Sequence, residues 1–188
     1  MPRLRVLSIL GLVAFALSLA APGRAQVSST VIDVVKVKGL VDPALDDFVR
    51  GAVRSAERAG ATVVLQIDSL GGYGDRAARL GAFIHAATVP VVAWVGPTGS
   101  RAQGGALFLV YGASVAGMAP GAGLGPARPF DLGSSRSAED PAEVGRFSSE
   151  LLSLAPGAGA DLAGVERLIS GPALPAGPAL EEIGRAHV

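Results

Sequence analysis

Gly99-Ser100-Arg101-Ala102-Gln103-Gly104-Gly105-Ala106-Leu107-Phe108 is the junction whose reading decides the fold. Before it, Val89 to Val95 is a valine-rich run with the character of a strand. After it, the apolar segment 103–113 reads as a helix. The same strand-then-helix unit recurs upstream. Val31 to Val37 is β-branched and predicts a strand. Asp42-Pro43 then supplies an N-cap and a first-turn proline for a helix whose apolar face is Leu45, Phe48, Val49, Ala52, Val53 and Ala56, closed by Gly60. Thr62 to Ile67, apolar apart from Gln66, predicts a strand covered on both faces. A helix follows over roughly Gly74 to Ala87, with Leu80, Phe83 and Ile84 inward, and Ser114 to Met118 is a short further strand. Alternation with short loops implies an α/β fold with mostly parallel strands.

Composition narrows the chemistry. The chain has 188 residues, 49% of them hydrophobic and 17% charged, which is enough for one domain with a sizeable core. Net charge is zero with no basic block, so phosphate neutralisation of a nucleic acid has no support. With no cysteine, thiol nucleophiles, disulfides and thiolate metal sites are excluded. His85 and His187 are too few for a histidine-based metal site, and no cofactor is expected. The only lysines are Lys36 and Lys38; every other basic side chain is an arginine.

Residues 1–25 read as an export signal. Arg3 and Arg5 precede an apolar run from Val6 to Ala20, and Gly23-Arg24-Ala25 offers a cut before Gln26. The alternative is an uncleaved anchor, although the run is short for a membrane span. Either way the remainder is expected on the outer side of the cytoplasmic membrane. At the other end, Glu182 to Val188 matches the translation of a common sequencing-adapter oligonucleotide. Residues 185–188 are therefore expected to be a non-native tail, leaving 26–184 as one domain, truncated at its C-terminus. Between these ends, Pro120 to Pro129 reads as a Gly/Pro-rich loop, Leu132 to Asp140 as a polar loop, Pro141 to Leu154 as a helix, and Pro156 to Ala160 as linker.

Three blocks carry a resemblance. Val64-Leu65-Gln66-Ile67-Asp68-Ser69-Leu70-Gly71-Gly72 is a strand ending in a Gly-Gly element. Val89-Pro90-Val91-Val92-Ala93-Trp94-Val95 runs through Gly96-Pro97-Thr98-Gly99-Ser100-Arg101-Ala102. Ala116-Gly117-Met118-Ala119-Pro120-Gly121-Ala122-Gly123-Leu124-Gly125 closes the set. In order and spacing they resemble the NfeD family of membrane-bound ClpP-class serine proteases, and more distantly the SppA/SohB peptidases. The match covers roughly Val31 to Phe130. The resemblance implies a ClpP/crotonase-like fold of stacked, mostly parallel β-turn-α units, with an extended peptide bound along a strand edge. It also implies a membrane-anchored full-length protein and association into homo-oligomers.

From the residues, Gly71 and Gly72 read either as a tight turn or as backbone donors of an oxyanion hole. The resemblance favours the latter, with Gly105 as a further donor and Ser69, Leu70 and Ser100 lining the cleft. The family's nucleophilic serine falls, without gaps, on Gly104, which has no oxygen to attack a carbonyl. The family's lysine base falls near Val144 to Arg146, and there is no lysine after Lys38. Arginine stays protonated and cannot replace it. No intact catalytic pair is expected. Ser100 and His85 do not read as a substitute pair, and Asp68 is expected to end its strand and cap a turn. Gly121 to Gly125, with neither a lysine nor a helix start after it, does not read as a nucleotide loop.

Three functions follow. The first is an extracytoplasmic, catalytically degenerate protease-like domain that binds a peptide or a membrane-protein segment. The second is an active serine endopeptidase on membrane or exported proteins, with a nucleophile not identified. The third, an acyl-CoA enzyme on the crotonase scaffold, is disfavoured by export.

Overall fold

The computed structural model describes residues 31–72, 74–127, 141–158 and 162–183. The export signal, the Leu132–Asp140 loop, the end of the expected linker at Gly159-Ala160 and the tail 185–188 lie outside them.

β1 (Ile32–Val41) leads through Asp42 into α1 (Pro43–Ala59). The Asp42 carboxylate accepts from Leu45 N at 2.8 Å, and Gly60 turns the chain out with φ +65, its N–H donating to Ala56 O. Both helix ends are thus set by the residues that announce them in the sequence, Asp42 through its carboxylate and Gly60 through its backbone. β2 (Thr62–Gly72) and α2 (Gly74–His85) repeat the unit, and β3 (Val91–Val95) follows. Beyond it come β4 (Arg101–Ala102), α3 (Ala106–Gly112), β5 (Val115–Met118), β6 (Gly123–Leu124), α4 (Pro141–Ala158), α5 (Leu162–Ser170), β7 (Leu174–Pro175) and α6 (Ala176–Ile183).

β2 organises the sheet. β1 runs parallel along its whole length. On its other side β3 pairs with Val63–Ile67, and β4 takes over at Ser69, opposite Ala102. β5 extends the sheet from β3, β6 from β4, and β7 closes it antiparallel to β6. This is an α/β fold with a mostly parallel sheet, as the alternation of segments implies.

Val63, Leu65 and Ile67 of β2 are fully buried with Val91, Ala93 and Val95 of β3, beneath Val49, Val53 and Ala56 of α1 and Leu80 of α2. α3 is buried along its entire length. It can sit that deep because α2 presents Gly81 to it: a Cβ there would stand 2.5 Å from Phe108 O. Phe108 also meets Phe147 of α4 edge-to-face, centroids 4.8 Å apart. The Asp46 carboxylate, in a residue only 6% exposed, takes Arg50 Nε at 2.7 Å and Arg76 Nη1 at 3.2 Å, tying α1 to α2.

Four expectations are corrected. β2 is not covered on both faces: its core-facing residues are buried, whereas Val64, Gln66 and Asp68 are half-buried and Ile32, Val34, Lys36 and Lys38 of β1 are exposed. Gly71 and Gly72 form no turn after the strand but are its last two residues, paired with Leu40 and Val41. Asp68 accordingly lies within β2, where its Oδ1 accepts from Arg101 N at 3.3 Å. Part of the expected linker, Pro156 to Ala158, belongs to α4.

Candidate functional site

The end of β2 and the start of α3 meet through backbone alone. Pairing of β1 with β2 shifts register where Leu40 is reached: Gly39 lies opposite Ser69, but Leu40 lies opposite Gly71, so Leu70 is bulged out. Ser69 holds this bulge together. It is 1% exposed, its hydroxyl donates to Gly39 O at 2.6 Å, and it accepts from Gly71 N at 3.2 Å. Leu70 projects outward, 57% exposed. Ser69, expected to line a cleft, instead has its hydroxyl engaged in the strand it belongs to.

The loop before α3 is laced to its surroundings. Gln103 N donates to Ser69 O at 2.9 Å and Gly104 N to Pro126 O at 2.9 Å; Gly123 N and Gly125 N donate back to Ser100 O and Ala102 O at 3.0 and 2.8 Å. These bonds place Gly104 and Gly105 against the end of β2. Gly71, at φ +115, sits so close that a Cβ on it would lie 2.9 Å from Gly105 N. A Cβ on Gly105 would lie 2.7 Å from Ala77 Cβ and 3.2 Å from Gly72 N. Only glycines permit this approach. Gly104 itself is buried at φ +47, a conformation that side chains other than glycine's rarely adopt.

The polar inventory of the junction is short. Gly104 contributes no side chain, Gly71 N is bound to Ser69, and Gly104 N is bound to Pro126. The buried Gly105 N–H has no hydrogen-bond partner among the described residues. Such an amide is able to receive a carbonyl oxygen or a developing oxyanion.

Other sequence candidates fall elsewhere. Val144 and Arg146 lie in the first turns of α4, and Arg146 Nη1 reaches Asp75 Oδ1 at 3.8 Å, at the start of α2. His85 is the exposed last residue of α2. Ser100 is 5% exposed and lines a separate cavity of about 420 Å³ with Lys36, Lys38, Gln66, Asp68 and Pro97 to Gly99. A second cavity of about 320 Å³ lies between α2, α3 and α4 and includes Asp75, Arg79, Phe108 and Glu150. Neither cavity was legible in the sequence, because each is walled by segments that meet only in the fold. Among the described residues no group of three or more His, Asp or Glu side chains is placed to hold a metal ion. Nor is any helix among them long and apolar enough to cross a membrane.

No protein-family model matches the chain. Over 111 residues, 58% of this chain, it is 25% identical to the membrane-bound protease PH1510 of Pyrococcus horikoshii, and it spans about a quarter (25%) of that relative's length. Among solved structures it is similar to a lysine-to-alanine variant of the 1510-N membrane-bound stomatin-specific protease in complex with a substrate peptide. The TM-score is 0.75 at 25% identity, over 82% of this chain and 73% of that one. A serine-to-alanine variant of 1510-N aligns with TM-score 0.73 at 24% identity, over 81% of this chain and 76% of that one. The unmodified 1510-N protease, specific for a stomatin homologue of Pyrococcus horikoshii, aligns with TM-score 0.68 at 22% identity, over 85% and 73%. This chain is thus a protease-like α/β domain, a homologue by structure and by distant sequence of the N-terminal domain of that NfeD-like, ClpP-class membrane-bound protease.

Proposed function

We propose that this domain binds an extended peptide, such as a segment of a stomatin-like membrane protein, without cleaving it, and that it does so on the outer side of the cytoplasmic membrane as part of a membrane-anchored protein. The observation that carries the reading is the glycine at position 104. It stands between the loop and α3 where the family's nucleophile falls, and its only groups are backbone ones, its N–H already bound to Pro126. The other half of the chemistry is missing as well. The segment carrying Val144 to Arg146 offers a guanidinium, and the sequence has no lysine after Lys38. A guanidinium that stays protonated cannot accept a serine proton.

What remains is suited to holding a carbonyl. Gly105 N lies against Gly71 at the end of β2, with Gly72 N close to Gly105; the Gly105 and Gly72 amides are our choice for the donors that fix a peptide oxygen. Leu70 supplies exposed apolar surface next to them. A carbonyl bound there keeps its planar geometry, because Gly104 has no oxygen to attack it and the Ser69 hydroxyl is engaged within β2.

Fluorescence anisotropy with a labelled stomatin-homologue peptide, followed by mass spectrometry of the same sample, tests this. Saturable binding with intact peptide is expected. Cleavage products, or covalent labelling by a fluorophosphonate probe that disappears in Ser100→Ala, would establish an active endopeptidase in its place.

A further inference from the structure

The two lysines of this chain lie together. Lys36 and Lys38 are separated by one residue on β1, so their side chains leave the same face about 7 Å apart. Across the ladder they stand opposite Gln66 and Asp68. All four line the 420 Å³ cavity whose far wall is the Pro97–Ser100 turn. That wall is fixed by Ser100 N donating to Pro97 O at 3.0 Å and Gly99 N to Gly121 O at 3.3 Å. Neither lysine makes an ion pair with a described residue, and the Ser100 hydroxyl has no hydrogen-bond partner among them.

Lysines on an edge strand discourage strand addition by other chains. That role asks nothing of a concavity, nor of an otherwise buried serine that lines it and whose hydroxyl has no partner among the described residues. We propose that this cavity is a binding site for a carboxylate of a peptide or peptide-like molecule, held by Lys36, Lys38 and the Ser100 hydroxyl. Its lining carries two positive charges and one negative, a net of one that matches a monoanion. Asp68 repels any anion in the cavity, and a phosphate dianion about twice as strongly as a carboxylate, which favours the monoanion. It also asks for a donor: Oδ1 takes Arg101 N, and the other oxygen is available to a peptide N–H. The volume is that of a small-ligand site. Because both ammonium groups are solvated, each ion pair contributes little and binding is weak, in the millimolar range. The site lies apart from the Gly71–Gly105 junction and does not depend on what that junction does.

Lys36 and Lys38 are the only side-chain amines, so their acetylation by an N-hydroxysuccinimide ester, read by peptide mass spectrometry, reports occupancy. Acetyl-glycyl-glycine and acetyl-aspartate amide are expected to slow modification of both lysines about threefold or more at ten millimolar, and the two probes separate a terminal from a side-chain carboxylate. The C-terminal amide of acetyl-glycyl-glycine gives no protection. Equal protection by that amide, or protection by inorganic phosphate but by neither acid, overturns the assignment. In a second measurement, amide chemical shifts of Gly99 and Ser100 are followed during titration. The Lys36→Gln/Lys38→Gln variant should weaken the acid about tenfold, and Lys36→Arg/Lys38→Arg should retain it. Unchanged affinity in the glutamine variant, with the fold intact by circular dichroism, refutes the site.

Discussion

Replacing Gly71 by alanine probes the contact on which the junction depends. Two costs combine at this position. The residue sits at φ +115, outside the region that an L side chain occupies without strain, which costs about 1–3 kcal/mol. The new Cβ would also stand 2.9 Å from Gly105 N, 3.2 Å from Gln103 O and 3.4 Å from Gly104 Cα. All three are backbone atoms of a loop hydrogen-bonded on both sides, so they cannot swing aside as a flexible side chain would. Overpacking of this kind costs about 1–3 kcal/mol more. The total, about 2–6 kcal/mol, lowers the melting temperature by roughly 5–20 °C for a domain of this size. Gly105→Ala separates the terms: its φ is −60, so only the 2.7 Å approach to Ala77 Cβ and the 3.2 Å approach to Gly72 N remain, at about 1–3 kcal/mol. Gly51→Ala, in α1 with nothing within 4 Å of the new Cβ, should instead stabilise by about 0.5–1 kcal/mol. Urea unfolding followed by circular dichroism ranks the three at constant m-value. If Gly71→Ala lies within about 0.5 kcal/mol of the parent, the close approach of β2 to Gly105 does not exist in solution.

Other outcomes follow from the same geometry. Asp46→Ala removes a buried carboxylate shared by Arg50 and Arg76 and should destabilise by about 2–4 kcal/mol by urea titration; Asp47→Ala, at an exposed neighbour, should stay within about 0.5 kcal/mol. Asp42→Ala deletes the carboxylate that caps α1 and should cost about 1 kcal/mol, whereas Asp42→Ser retains most of the stability. Gly104→Ser should give no peptidase activity in a fluorogenic peptide assay, because a hydroxyl there has no lysine downstream to deprotonate it. Turnover above the parent's background would mean that another group serves as base.

Much of the fold is legible in local sequence. Asp42, Pro43 and Gly60 delimit α1 because capping is settled within one turn of chain. The valine-rich cores of β1, β2 and β3 announce themselves by composition alone. Their ends do not. β2 continues through Asp68 and two glycines, residues with poor strand propensity, since β1 and β4 supply hydrogen-bonding partners from elsewhere in the chain. β4, β6 and β7 are two residues long and exist only through their partners. Pro156 to Ala158 looks like linker sequence, yet it completes α4, a helix that packs on α3 through Phe147 and Phe108.

The site divides along the same line. Sequence by itself determined which groups the chain possesses: no cysteine, glycine at position 104, and no lysine beyond Lys38. Those facts limit the chemistry without reference to shape. Only the tertiary structure decided which groups meet. Ser69 lies inside the bulge of β2 instead of in a cleft, Gly71 and Gly72 touch Gly105, and Lys36 and Lys38 share a cavity with Ser100. Each of these meetings joins residues far apart in the chain. They are fixed by strand register and by the close packing of α3 beneath α2, both of which depend on many distant contacts at once, and which no local periodicity encodes.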